Sequence, residues 1–157
     1  MNKAKKELEE KGFHRGLIKG EEDKGLAEKH VTKAEHNLDA AIYFDRGGYS
    51  DWSASAFFYC VYHCFLAILK RFGYESRNQE CTIAVIEVLK EQGIIDIDEK
   101  FIDSLKITKI EESHWSIIKA REDLQYGVEI EFQKREEFNK SIEMCKEIIN
   151  RARGIIY

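Results

Sequence analysis

Arg121 and His114 are side chains of this 157-residue chain whose types suit phosphate chemistry. A guanidinium is planar and permanently charged, and it can hold a phosphate through two parallel N–H donors. An imidazole titrates near neutral pH and can act as a general base. His114 lies seven residues before Arg121. On one helix that is two turns, a shared face with the groups about 10 Å apart. Simpler roles stay open for both. Arg121 can pair with Glu122, Asp123 or an acid on another helix, and His114 can stack beside Trp115.

Other groups of residues carry other chemistry. Cys60, His63 and Cys64 fall at i, i+3 and i+4, so one helix face could present three soft ligands. Zinc needs a fourth, such as Cys81. The spacing matches no zinc module, and CxxHC is not the CxxCH of haem attachment. Core packing is the expected role, and neither metal nor cofactor is expected. Arg77, Asn78 and Gln79 stand at the start of a helical segment. There, free backbone amides favour anions, so Arg77 and Asn78 are a second phosphate candidate, with simple capping by Asn78 as the alternative. Tyr43, Tyr49, Trp52, Phe58, Tyr59 and Tyr62 gather around one interhelix turn. They can stack a base or fill a bundle or dimer core. The chain has no GxxxxGK[ST] loop, GxSxG elbow or HExxH helix.

Helices must position these groups. Val31, Ala34, Leu38, Ala41 and Ile42 recur at helical spacing and predict a helix over 26–46, stopped by Gly47-Gly48. A second helix is predicted from Ser50 or Asp51, either of which could cap it, to Phe72. Its run AFFYCVYHCFLAIL has no polar side, so other helices must surround it. Further helices are predicted over 78–92, over 98–126 with a kink or split near Thr108, and over 132–153. No segment alternates as a strand would. Residues 1–25 read as an appendage, a short charged helix followed by a glycine-bearing loop. The expected fold is all-α, an antiparallel up-and-down bundle of four to five helices over 26–157.

Bulk properties agree. The length is that of one domain, and the absence of proline suits helices. A net charge of -4 argues against broad nonspecific binding to nucleic acid. The four cysteines have no CxxC spacing and follow a charged N-terminal segment without an apolar signal region. Reduced thiols and a cytoplasmic location are expected. The apolar stretch from Ala56 to Leu69 is shorter than the roughly 20 residues of a membrane span, so no membrane partner is expected.

Four segments together resemble the HEPN family, in particular its small stand-alone prokaryotic members. They are LAEKHVTKAEHNLDAA, the turn GGYSDW, the run SAFFYCVYHCFLAILKRFGYES, and KAREDLQYG. Their order and spacing cover about residues 26–152. The resemblance implies an antiparallel bundle that often dimerises. It also implies either a metal-independent ribonuclease, with an arginine followed four to six residues later by a histidine, or a nucleotide-binding partner of a small nucleotidyltransferase. Arg121 matches the arginine position, Tyr126 stands where the histidine would be, and no histidine follows Arg121. Tyrosine, with a pKa near ~10, is a poor base at neutral pH. The expected protein is a homodimeric, non-catalytic nucleotide-binding or partner subunit of a minimal nucleotidyltransferase, in a toxin–antitoxin-type pair. The alternatives are a ribonuclease toxin that cleaves RNA with Arg121, assisted by His114 or Tyr126, and a purely structural dimeric bundle.

Overall fold

A helix that is apolar all round is stable in water only inside other structure, and the fold is arranged around one. The computed structural model describes Lys6, residues 17–106, 116–132 and 134–157. In chain order these form a short strand β1 (Leu17–Lys19), helices α1 (Lys24–Arg46) and α2 (Ser50–Arg71), strand β2 (Tyr74–Ser76), and helices α3 (Gln79–Glu91), α4 (Glu99–Asp103), α5 (Ile117–Tyr126) and α6 (Arg135–Ile156). Six helices and one two-stranded sheet thus make an all-α bundle among the described residues. By length and composition α2 would pass for a membrane-crossing helix. Here α1, α3, α5 and α6 cover it instead.

The caps follow local chemistry. Asp23 accepts from the Leu26 N–H at 2.8 Å and starts α1. Ala27, Val31, Ala34, Leu38 and Ala41 form its buried stripe, and the three alanines let the backbones of α1 and α2 approach closely. Asn78, Asp98 and Ser116 cap α3, α4 and α5 in the same way. The start of α2 differs from expectation. Its N-cap is Tyr49, without a side-chain bond, while Ser50 Oγ accepts from the Phe132 N–H at 3.3 Å. The expected split within 98–126 is present as two helices, α4 and α5. Thr108 itself lies outside the described residues.

Phe57, Phe132 and Phe138 form an edge-to-face trio with centroids 5.2–6.2 Å apart, which pins α6 and the segment before it onto α2. Phe57, Phe65, Ile68 and Leu69 are fully buried. Each such side chain contributes about 1.5–3 kcal/mol on leaving water. At the periphery, Arg135 clamps Asp45 through two 2.7 Å bonds and ties α6 to the end of α1.

The sheet corrects the expectation that no strand would form. Leu17–Lys19 pairs antiparallel with Tyr74–Ser76, and three residues are too few for an alternation to be visible in sequence. The pairing has a structural task. The last carbonyls of a helix lack partners within it. Here the Asp23 N–H donates to the Lys70 carbonyl at 3.0 Å, Lys19 Nζ to the Phe72 carbonyl at 3.0 Å, and the Gly20 N–H to the Gly73 carbonyl at 2.6 Å. Leu17 is buried in the core beneath. Residues 17–23 therefore clasp the C-terminal end of the central helix.

Gly73 makes the clasp possible. Its φ of +79° is left-handed, and a Cβ there would lie 2.5 Å from the Gly20 carbonyl oxygen. Gly93 has a similar φ of +70° but open space around it. Gly93→Ala is expected to cost about 1 kcal/mol from backbone strain alone. Gly73→Ala should cost at least about 2 kcal/mol, since the clasp must also open. Urea unfolding followed by circular dichroism checks this. Equal losses for the two variants would show that the clasp does not hold the end of α2.

Candidate functional site

Arg121 projects from α5 onto α2. Its guanidinium carbon lies 4.3 Å from the centre of the Phe58 ring and 5.6 Å from that of Tyr59. Its Nε is buried and has no hydrogen-bond partner, and no carboxylate pairs with it among the described residues. Neighbouring Glu122 and Asp123 are exposed. Of the readings open from sequence, the ion pair is therefore absent among the described residues. A cation lying over an aromatic ring, worth about 0.5–2 kcal/mol, stands in its place. One turn further along α5, Ser55 Oγ donates to Gln125 Oε1 at 3.3 Å, which fixes the register of α5 against α2.

The aromatic floor continues along α2. Phe58 stacks on Tyr62 with centroids 5.9 Å apart and 13° between planes, and meets Tyr59 edge-on at 5.2 Å. The Tyr62 hydroxyl and the buried Thr82 hydroxyl are 3.3 Å apart. Thr82 in turn donates to the Asn78 carbonyl at 2.9 Å. A contiguous row of contacts thus links Arg121 to the second candidate position. At that position the Asn78 side chain caps α3 by accepting from the Cys81 N–H at 2.8 Å. Arg77 is exposed beside it.

The other candidate groups are placed differently. His114 lies outside the described residues. Tyr126 is exposed at the end of α5, five positions after Arg121. That spacing turns it about 140° round the helix, away from the face Arg121 occupies. Cys60, Cys64, Cys81 and Cys145 are all buried in the core. Burial pushes the Cys64 and Cys145 thiols well above their ordinary range, so both stay protonated.

His63 turns away from these cysteines to His30 of α1, with the two Nδ1 atoms 3.0 Å apart. Sequence reasoning missed this pair, because residues 33 positions apart on different helices share no spacing signal. Such a bond needs one ring to donate and the other to accept, so at least one is neutral. Burial, followed by the charges of His30 and Lys33, lowers His63 to about 4. Burial and Lys70 lower His30.

A family model described as HEPN domain matches residues 27–155, most of the chain. The chain belongs to the HEPN family. No curated protein matches it closely enough to name a relative. Within this HEPN domain, Arg121 can hold negative charge but cannot transfer a proton, and His63 is occupied by His30.

The His30–His63 pair sets a pH dependence. The folded pKa of His63 is about 4, below the ordinary 6.5, so the unfolded chain binds the proton more readily. The contribution is therefore fully present above about pH 6.5 and is lost as pH falls toward 4. Because the rings are only half-buried, about 1–2 kcal/mol is expected after solvent screening. Comparing urea midpoints of wild type and His63→Gln across this window separates the pair from the carboxylates. Parallel curves would remove the pair from the acid response.

Proposed function

We propose that this HEPN protein is a non-catalytic binding subunit that holds a nucleotide, a minimal nucleotidyltransferase, or both. It would work as a homodimer in a pair of the toxin–antitoxin kind. The observation that carries the proposal is Arg121, a half-buried guanidinium laid on Phe58 and Tyr59 with its Nε unpartnered. A buried donor left without an acceptor costs about 1–3 kcal/mol. A phosphate or a partner's carboxylate would supply that acceptor, and exposed Tyr59 offers a base an aromatic surface beside it.

Reaction chemistry supports binding over cleavage. Cutting RNA through the 2′-hydroxyl requires one group to remove a proton and another to protonate the leaving oxygen. Arg121 can do neither at working pH. Tyr126 is on another face of α5, and a phenol is a poor general base at neutral pH.

Labelled RNA incubated with wild type is expected to stay intact. Calorimetry with adenine nucleotides, and with a nucleotidyltransferase encoded beside this gene, is expected to show binding that Arg121→Ala weakens at least tenfold. Cleavage by wild type that Arg121→Ala abolishes would overturn the proposal in favour of a ribonuclease. Sensitivity to His114→Ala or Tyr126→Phe would then name the base. Absence of both cleavage and binding would leave the structural bundle as the better reading.

A further inference from the structure

One end of the bundle displays apolar side chains that the fold does not cover. Trp52 in the first turn of α2 is 61 % exposed, Tyr126 at the end of α5 is 73 %, and Val128 and Ile130 in the following segment are 93 % and 70 %. Two bonds bring the elements that carry them to the same end of the bundle. Gln125 is bonded to Ser55 of α2, and the segment after α5 returns to bond Ser50 through the Phe132 N–H. Residues 127–132 belong to no helix or strand, yet both ends are anchored, since the Gly127 N–H also donates to the Asp123 carbonyl at 3.0 Å. Val128 and Ile130 are therefore held outward on a tethered segment, beside the end of α5 that carries Tyr126. Large apolar side chains left exposed together at one end of a fold mark an interaction site.

The charge around it selects the occupant. From Glu122 to Phe132 the chain carries four carboxylates, Glu122, Asp123, Glu129 and Glu131, and no basic side chain. Asp51 adds a fifth beside Trp52. Helical spacing sets Glu122 and Asp123 on the same side of α5 as Tyr126. A second copy meeting this face about a two-fold axis would bring like charges together, which disfavours it. An RNA or a free nucleotide would meet the same repulsion. A surface with an apolar centre and a basic rim would meet complementary charge.

We propose that the Trp52–Tyr126–Val128–Ile130 face docks a different protein, one that presents apolar side chains flanked by lysine or arginine. The inference rests on the partner-subunit reading and names the surface and chemistry that reading requires. Arg121 binds on the neighbouring aromatic floor and is a separate contact.

The test is selection of a displayed random-peptide library on the full-length protein, followed by affinity measurement on synthetic copies of the enriched peptides. Enriched sequences are expected to pair aromatic or aliphatic residues with lysine or arginine. Their affinity should fall at least tenfold with Val128→Glu or Trp52→Ser. It should also fall severalfold with the double change Glu129→Gln and Glu131→Gln, which should flatten the salt dependence. All four side chains are exposed, so the variants keep the fold, and circular dichroism confirms it. No enrichment, enrichment of acidic or uncharged sequences, or indifference to these variants would overturn the proposal. So would sedimentation showing a homodimer that Val128→Glu dissolves, since the face would then belong to a second copy. Nucleotide binding through Arg121 is read separately by calorimetry, so failure here and failure of the binding-subunit reading are distinguishable.

Discussion

Burial of most of one apolar helix is the constraint from which the rest of this structure follows. Thirteen residues of α2 are buried, on all sides of the helix, and no single neighbour can cover more than part of that surface. The alanine stripe of α1 allows a close approach on one side. α6 closes another through Phe138, Cys145 and Ile148, and α3 and α5 share what remains. Even the segment around β1 serves α2, because Lys19, Gly20 and Asp23 donate to the Phe72, Gly73 and Lys70 carbonyls at its C-terminal end.

The candidate site is where that coverage runs out. α5 has ten residues, against twenty-two for α2, and buries only Ile117, Ile118 and Leu124. So short a helix leaves part of the α2 surface for other groups to cover. Arg121 takes this role, its guanidinium over Phe58 and near Tyr59. An arginine does this at lower cost than a lysine, because its delocalised charge is weakly hydrated and its flat face suits a ring. Residual polarity remains in the unpartnered Nε. Local rules tend to be broken in this way where a protein binds something, since a satisfied group has little to offer a ligand.

The sequence made the bundle legible because its signals are periodic and long. Stripes at helical spacing, the glycines after helices and the cap at Asn78 placed the long helices to within a few residues. The strands were not legible, because three residues of pairing leave no pattern and their stability comes from the end of α2. Ser50 or Asp51 is expected to cap α2 because serine and aspartate commonly do, while the fold uses Ser50 to hold Phe132. At the site, Arg121 was legible through its position in the KAREDLQYG segment, and Phe58 and Tyr59 through their aromatic type. That the guanidinium rests on those rings depends on the angle between α5 and α2, which no local signal encodes. The His30–His63 contact was hidden for the same reason.

Charge separation around α5 then gives the proposed reading its physical sense. Arg121 and Gln125 face α2, whereas Glu122, Asp123 and Tyr126 face outward, so one short helix divides a cationic, aromatic floor from an acidic, apolar rim. An anionic ligand is favoured on the first surface and repelled by the second. A basic protein experiences the reverse. Two ligands of opposite charge can therefore be directed to adjacent places without competing for one pocket, and each would reduce the repulsion the other meets. Such an arrangement requires no proton transfer. Among the described residues, His63 is held against His30 and Tyr126 points away from the floor.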